Sequence, residues 1–380
     1  MPRNDTETLV EQVKKHAKKP AAKKSSKIDR NELVPSGSTL LDLACSNSIY
    51  GAFKIGTMVN IIGDKSSGKT MLALSMLAEC ARLDRFDGFD FIFDDVEAAN
   101  AFDVGGMFGK KLADRIQEPL KHGKSDTIKE LEANLIKSIQ KGKPFLYILD
   151  SFDALTTDEE IERAYARAND TKEKGSMGMQ KAKGGHELFR ILCRELQTSK
   201  GLFAIISQVK EDIDPMSMRK YKRTGGKALD FYAFHHIWLS MIGTIRAKER
   251  VIGHNVLDKV DKNKLNGNER VIAYDTYNSY GIDDVGSMVD FMIAEKYWTS
   301  AGGRKDDEDE DDGPKQRGKI KKIKKRKVVV VPDFDFTGTR DQIIHMVDEN
   351  KLERKLKVMV ADAWMEIEES LKLDRRPKYS

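Results

Sequence analysis

One stretch constrains the fold of this chain more than any other: Gly63-Asp64-Lys65-Ser66-Ser67-Gly68-Lys69-Thr70. It follows the apolar run 58–62 and opens the apolar stretch 71–77, in the order of a buried strand, a glycine-bracketed loop and a helix. The glycines let the backbone curl so that successive N–H groups point at an anion, and the helix adds the positive end of its dipole. Lys69 supplies a charge for the β and γ phosphates, and Thr70 a hydroxyl for Mg²⁺. The pattern therefore predicts that all eight residues bind a nucleotide. The alternative, a loop that only caps a helix, would give Lys69 no role.

The composition excludes several classes of protein. At 380 residues the chain can hold one large α/β domain with smaller appendages. No apolar run reaches the length of a membrane span and no signal peptide opens the chain, so we expect a soluble protein. Its three cysteines, Cys45, Cys80 and Cys193, lie far apart and fit neither a disulfide framework nor a zinc site. This usage favours a reducing cytoplasm.

Further apolar runs read as strands, at 89–95, 144–151, 202–207, 236–242 and 270–274. Helical patterns separate several of them, and one begins at a capping box, Thr127–Glu130. Strands that alternate with helices predict an α/β fold whose mostly parallel sheet is covered by helices on both faces. Asp150 stands at the carboxyl edge of such a sheet, where ligands bind. Thr70 and Asp150 are therefore the predicted ligands of Mg²⁺.

Charge and periodicity divide the chain into four predicted segments: a basic N-terminal arm at 1–30, a nucleotide-binding core at 31–300, a charged insertion at 301–330 and a small helical element at 331–380. The arm has the spacing of one short helix, which would need a partner surface; a disordered basic tail is the alternative. The insertion joins an acidic block to a basic block, cannot bury a core and is predicted to be disordered. Its acidic block either competes with duplex DNA for the basic block or forms a neutral linker with it. The last segment carries one apolar helical stripe from Leu352 to Leu371.

Several separated segments coincide with one family: Gly63–Thr70, Phe93–Glu97, Leu149–Ser151, Ala154–Thr156, Met177–Met179, Ile206–Gln208, Gly225–Tyr232, Lys262–Lys264, Gly281–Ile282 and Val289–Asp290. Through them the chain resembles the RecA family of bacterial and phage recombinases, over roughly residues 36–300. The Gly-Gly-x-Ala-Leu-x-Phe-Tyr and Lys-Asn-Lys segments are the specific ones, because the Walker motifs alone would indicate only a P-loop ATPase. Members of this family are ATP-dependent proteins that polymerise on DNA and exchange strands. The resemblance implies a RecA-like core with ATP and Mg²⁺ as cofactors.

The resemblance also implies roles for single residues. Glu97 corresponds to the carboxylate that activates the attacking water, and Gln208 to the residue that senses the γ-phosphate. Lys262 and Lys264 correspond to cations that reach the γ-phosphate from the next protomer. Phe231 corresponds to an aromatic at the interface between protomers. The predicted catalytic residues are Glu97, Lys69, Gln208, Lys262 and Lys264.

Two polar loops correspond to the DNA-binding loops of the family, at Thr171–Lys183 and Val209–Thr224. The candidate DNA contacts in these loops and in the glycines that follow are Met177, Gly178, Lys181, Lys183, Lys210, Met216, Arg219, Lys220, Lys222, Arg223, Gly225 and Gly226. Lysine and arginine neutralise phosphates without reading sequence, and methionine can wedge between bases. Two solvated loops without a ligand are the alternative.

The predicted function is an ATP-dependent recombinase for DNA recombination and repair. Its predicted partners are single-stranded DNA, duplex DNA and further copies of itself in a helical filament. A hexameric helicase or motor of the same fold is one alternative, and a non-catalytic ATP-binding and DNA-binding paralogue is another. Ala98, the Asp64-Lys65 pair and the charged insertion depart from the usual family pattern, which is compatible with a divergent member from a phage.

Overall fold

The computed structural model describes residues 29–98, 103–168, 179–211, 221–223, 227–301 and 328–375. Of the predicted N-terminal arm, only the last two residues fall within these ranges. The division of the chain into four segments stays a prediction.

Most of the described strands belong to one large sheet. The strands are β1 (Leu33–Val34), β2 (Phe53–Lys54), β3 (Met58–Gly63), β4 (Asp90–Asp95), β5 (Ile116–Gln117), β6 (Phe145–Asp150), β7 (Gly201–Glu211), β8 (Tyr221–Arg223), β9 (His235–Ala247), β10 (Arg250–Asn263), β11 (Arg270–Tyr277), β12 (Gly281–Ile282), β13 (Thr299–Ser300), β14 (Val328–Val331) and β15 (Phe336–Thr339). The large sheet has the order β12-β11-β10-β9-β3-β7-β6-β4-β5, and β8 pairs with β7. From β9 to β5 every neighbouring pair is parallel, whereas β10, β11 and β12 extend the sheet antiparallel.

Helices cover both faces of the parallel half. They are α1 (Thr39–Ser46), α2 (Lys69–Ala81), α3 (Val104–Phe108), α4 (Lys110–Ala113), α5 (Ile128–Gln140), α6 (Asp158–Ala168), α7 (Met179–Ser199), α8 (Lys227–Tyr232), α9 (Asp284–Ala294), α10 (Arg340–Glu349) and α11 (Glu353–Ser370). One apolar core packs α1, α2, α9 and the C-terminal helices on the first face, and a second packs α5, α7 and α8 on the other. The predicted α/β fold with a mostly parallel, doubly covered sheet is confirmed.

The local signals explain the elements that position the site. β3 and β6 are buried along their whole length, as expected for parallel strands that are covered on both faces. α5 begins at the predicted capping box, in which the Thr127 side chain accepts from the Glu130 N–H and the Glu130 carboxylate accepts from the Thr127 N–H. These strands end at one edge of the sheet, and the following loops therefore meet there.

The sequence reasoning missed β10, because Gly253 and Asp258 interrupt its apolar alternation. A Cβ on Gly253 would lie against the Thr276 carbonyl of β11, so this close pairing requires glycine. Asp258 is fully buried and its carboxylate accepts from the Tyr274 hydroxyl at 2.9 Å. Burial raises the pKa of Asp258 to about 8, so the neutral form of its carboxyl group is favoured in the sheet at neutral pH. Lys262 lies next to the last residue of β10.

The C-terminal part contains strands as well as helices. β13, β14 and β15 form a small antiparallel sheet, and Val328–Val330 therefore lies in a strand although it falls within the segment predicted to be disordered. This valine-rich run is short and directly follows the basic block, so the sequence pattern did not predict a strand there. The predicted stripe of α11 is buried at Leu356, Val360, Ala363 and Trp364, but Leu371 is exposed at the helix end, beyond the surface that the helix covers.

Candidate nucleotide-binding site

The P-loop connects β3 to α2, and its glycines are required by their surroundings. A Cβ on Gly63 would contact the Ser67 hydroxyl and lie 2.7 Å from the Leu239 carbonyl of β9. Gly68 has φ +91° directly before the first residue of α2, a conformation that favours glycine. The predicted strand, loop and helix are thus the ones observed.

Two polar groups of the loop fit a bound anion. The Lys69 ammonium donates to the Asp64 carbonyl at 2.7 Å and so lies across the loop. Burial lowers the pKa of Lys69, although the nearby Asp150 and Glu97 carboxylates act to raise it. The Ser67 hydroxyl is buried and has no hydrogen-bond partner among the described residues. A phosphate in the loop would give both groups a charged partner, so the loop fits a nucleotide.

Thr70 and Asp150 meet as a pair of oxygen ligands. The Thr70 hydroxyl donates to the Asp150 carboxylate at 2.6 Å, although the two residues are far apart in sequence. Burial raises the pKa of Asp150 to about 6 and the Glu97 and Asp95 carboxylates add to the shift, while the Thr70 hydrogen bond opposes it. A hydroxyl beside a carboxylate is a donor set that Mg²⁺ accepts. The predicted metal ligands therefore lie together.

Glu97 and Gln208 lie at the same sheet edge and contact each other. The Gln208 amide donates to the Glu97 carboxylate at 2.7 Å, and the Ser151 hydroxyl donates to the same carboxylate oxygen. Gln208 pairs with Gly63 in the register of β7 and β3, next to the start of the P-loop. Its backbone N–H donates to the Asp153 carboxylate at 2.6 Å. The candidate base and the candidate sensor are thus one hydrogen-bonded unit.

The two lysines lie at the other end of the sheet. β10 runs antiparallel to β9, and Lys262 pairs with His236, which pairs with Asn60 in β3. Gly63 lies three residues further along β3, which is about 10 Å at the rise of a strand. Two strand spacings separate β10 from β3, another distance of about 10 Å. The Lys262 and Lys264 backbones therefore lie well away from the P-loop of their own chain.

The lysine side chains are held by a neighbouring helix. The Lys262 ammonium donates to the carbonyls of Asp230 and Phe231, and the Lys264 ammonium donates to the Phe231 carbonyl at 3.1 Å. These carbonyls belong to the last turn of α8, where a helix favours positive charge. The Phe231 side chain is 69% exposed beside them. Two cations and one exposed aromatic ring therefore share a surface.

Comparison with known proteins identifies the family. Residues 5–283 match the family described as the RecA N-terminal domain. The chain is 29% identical over 268 residues to protein RecA of Caulobacter sp. (strain K31), which covers 69% of this chain and 68% of that protein. It is 28% identical over 271 residues to protein RecA of Geobacter metallireducens, covering 71% and 74%. The chain belongs to the RecA family. Membership supports a RecA-type recombinase that depends on a nucleotide and Mg²⁺ in general terms.

In this RecA-family chain the first predicted DNA loop is partly helical. α7 begins at Met179, so Lys181 and Lys183 lie on a helix instead of in the loop. The sequence did not predict this helix start because Gly184 and Gly185 disfavour a helix. A Cβ on Gly185 would lie 3.2 Å from the Phe152 ring, so glycine allows the helix to pack closely there. Met177 and Gly178 fall outside the described residues.

The two ends of the second predicted DNA loop pair with each other as an antiparallel β-ribbon. β7 continues past Gln208 to Glu211 and pairs with β8, with Lys210 opposite Lys222 and Val209 opposite Arg223. The sequence did not predict these strands because charged residues show no alternation of apolar and polar positions. The backbone hydrogen bonds between β7 and β8 do not depend on such alternation. Five further predicted contacts lie outside the described residues: Met216, Arg219, Lys220, Gly225 and Gly226.

Several neighbours of the RecA-type site escaped the sequence reasoning. Ser151 and Asp153 lie one and three residues after Asp150; Ser151 bonds to Glu97 and Asp153 to Gln208, and this closeness in sequence to Asp150 was the available signal. The helices after the two predicted DNA loops also touch, because the Tyr232 hydroxyl lies 3.3 Å from the His186 ring. Among the helices that the structure describes, none is long and apolar enough to cross a membrane.

Proposed function

We propose that this RecA-family chain is an ATP-dependent DNA recombinase that polymerises on single-stranded DNA and promotes homologous pairing and strand exchange. The observation that carries the proposal is the separation of Lys262 and Lys264 from their own P-loop, beside the exposed Phe231 ring. A nucleotide site that needs both sets of residues is complete only where two protomers meet. A repeated head-to-tail contact of this kind builds an open helix unless it closes into a ring.

The residues of one protomer have distinct tasks in this scheme. The P-loop amides and Lys69 bind the phosphates, and the Thr70 hydroxyl and the Asp150 carboxylate hold the metal. Bound Mg·ATP supplies the phosphoryl group that is transferred to water, giving ADP and phosphate. Glu97 orients that water and accepts its proton. Lys262 and Lys264 of the adjoining protomer stabilise the charge that develops on the phosphoryl oxygens.

Gln208 gives a route from the nucleotide to DNA. Its amide is bonded to Glu97 at the nucleotide site, and its strand runs directly into the ribbon of β7 and β8. A change in the Gln208 contact would shift the start of the segment that is proposed to hold single-stranded DNA through its lysines and arginines. Hydrolysis would then reset the affinity for DNA. Duplex DNA is the second partner, and a reducing cytoplasm is the proposed location.

An ATPase assay with and without single-stranded DNA tests this function, followed by electron microscopy of the assembled protein. We expect little turnover without DNA, strong stimulation by single strands, and helical filaments whose formation needs ATP. ATPase activity with closed rings would instead indicate a motor of the helicase type. ATP binding without turnover would indicate a non-catalytic paralogue.

A further inference from the structure

The C-terminal helix α11 is attached to the nucleotide-binding core along its length. Near its start, the Lys357 ammonium lies 3.7 Å from the Asp284 carboxylate of α9. In its middle, the Trp364 ring N–H donates to the Asn47 side chain at 3.1 Å. Near its end, Glu368 contacts Asn268 in the connection between β10 and β11 and Arg270 at the start of β11. This last contact reaches the segment that carries Lys262 and Lys264.

The contact of Glu368 is a directed ion pair. The Arg270 Nε and Nη2 atoms each donate to one Glu368 carboxylate oxygen at 2.7 Å. The Asn268 side-chain amide also donates to the Glu368 carboxylate, at 3.2 Å. The side chains of Arg270 and Glu368 are only 27% and 10% exposed. A partly buried bidentate ion pair fixes the relative positions of its two side chains, which a solvated surface pair does not.

The connection that Glu368 holds is itself tightly hydrogen-bonded. The Asn263 amide donates to the Asn266 side chain at 2.7 Å and to the Cys45 carbonyl at 2.9 Å. The Asn266 side chain in turn accepts from the Asn268 N–H at 2.9 Å. The backbone N–H of Leu265 donates back to the Asn263 side chain at 3.0 Å. Few degrees of freedom are left between Arg270 and Asn263.

Asn263 stands between the two lysines in sequence, so its position sets theirs. A shift of the connection would move Lys262 and Lys264 relative to the α8 carbonyls that hold them now and to any nucleotide that they reach. Misplacement by about 1 Å can cost a reaction about 10²-fold. The ion pair at the end of α11 is therefore in a position to control the lysines without touching a nucleotide.

We propose that Glu368 and Arg270 are positioning residues for the nucleotide site of the adjoining protomer. This inference rests on the proposed function, because it requires that Lys262 and Lys264 act in that site. The C-terminal helix holds the connection that carries Lys264 and follows Lys262 at the end of β10, and the effect appears in the ATP turnover of a neighbour instead of in the chain's own P-loop. The match to the family ends at residue 283, so Glu368 lies in a part of the chain that the family match does not cover.

The first measurement is the DNA-stimulated ATPase of Glu368→Gln and Arg270→Gln. We expect both variants to lose about tenfold in kcat, a fraction of what one stabilising donor contributes. Tyr297→Phe is the matched control, because it removes a hydrogen bond from Tyr297 to Glu366 of the same helix at 2.8 Å but none to the connection. It should stay within about twofold of the parent. The double exchange Arg270→Glu with Glu368→Arg should recover activity, since it restores the ion pair.

The second measurement separates positioning from general damage. Glu97→Gln should bind ATP and assemble but should not hydrolyse ATP. Its Lys262 and Lys264, and the connection that positions them, are unaltered. In an equal mixture with Glu368→Gln, about a quarter of the interfaces join an intact nucleotide site to an intact connection. We expect the mixture to reach about a quarter of the parental rate, roughly fivefold above what diluted Glu368→Gln alone gives. Damage confined to the variant's own protomer would give no such gain.

The outcomes distinguish this inference from the function on which it rests. If Lys264→Ala has parental activity, the shared site itself is wrong. If Lys264→Ala is impaired and regains activity when mixed with Glu97→Gln, but Glu368→Gln is unimpaired or its mixture shows no gain, the positioning role is wrong and the shared site stands. Should Glu368→Gln lack a cooperative melting transition, Arg270→Lys replaces it, because lysine keeps the charge but loses the fork. A smaller loss and a correspondingly smaller gain on mixing are then expected, and an unchanged rate would overturn the proposal.

Discussion

The two ends of the central sheet are built on different principles. At the phosphate end, where β3, β4 and β6 terminate and β7 passes Gln208, the side chains of the candidate site bond to each other, as in the contacts from Thr70 to Asp150 and from Gln208 to Glu97. At the lysine end, where β9 begins and β10 terminates, Lys262 and Lys264 bond to backbone carbonyls beside the exposed Phe231 ring.

We infer that this difference separates nucleotide binding from turnover. The phosphate end has the P-loop, a candidate pair of metal ligands and a candidate base within one chain, so we propose that one protomer can hold a nucleotide alone. The lysine end presents cations and an apolar ring on a surface, which suits contact with another molecule.

Removal of the candidate base at the phosphate end should nearly abolish hydrolysis. Glu97→Gln keeps the shape and loses the proton acceptor, so we expect a fall in kcat of about 10³-fold with ATP affinity almost unchanged. Lys69→Ala should lower both kcat and ATP affinity, because we propose that Lys69 contacts the bound phosphates. Turnover by Glu97→Gln within a few-fold of the parent would remove this residue from the chemistry.

At the lysine end, removal of one cation should slow turnover without weakening ATP binding by the isolated protomer. For Lys264→Ala we expect a loss of about 10²-fold in the ATPase of the assembled protein, the usual effect of one stabilising donor. ATP binding by dilute, unassembled protein should equal that of the parent. Weaker binding under those conditions would mean that the lysine serves its own site.

The exposed aromatic ring should govern assembly more than chemistry. Burial of Phe231 between protomers would contribute about 2 kcal/mol, so Phe231→Ala should raise the protein concentration for half-assembly by about 30-fold. Light scattering with ATP and without DNA measures this. Tyr165→Ala is the control, since that ring on α6 is 70% exposed and lies outside the lysine end. Equal shifts for the two variants would contradict the assignment.

Acidity should affect the phosphate end through Asp150, the proposed metal ligand. The pKa of Asp150 is raised from 3.8 to about 6, and only the ionised carboxylate binds a cation. Affinity for Mg·ATP is therefore full above this pKa and should fall by about tenfold per pH unit below it. The nucleotide also takes up protons in this range, so Asp150→Asn supplies the baseline. If parent and variant have parallel pH profiles, Asp150 does not bind the metal.

Sequence reasoning recovered the phosphate end because local patterns encode it. The P-loop, the capping box at Thr127–Glu130 and Asp150 are each readable within a few residues, and a parallel sheet brings strand ends together. It failed where tertiary contacts override pattern, as in β10 with its buried Asp258, and at α7, whose glycines permit close packing. The pair of Arg270 and Glu368 joins positions 98 residues apart and has no local signal.

The central claim is that one nucleotide site is made by two protomers, and mixing two inactive variants tests it most directly. Glu97→Gln lacks the base but has intact lysines, and Lys264→Ala lacks a cation but has an intact phosphate end. Equal amounts should co-assemble on single-stranded DNA and regain about a quarter of the parental ATPase rate, because that share of random interfaces pairs two intact halves. Co-assembly with no rate above the diluted Lys264→Ala protein, at any mixing ratio, would contradict a shared site.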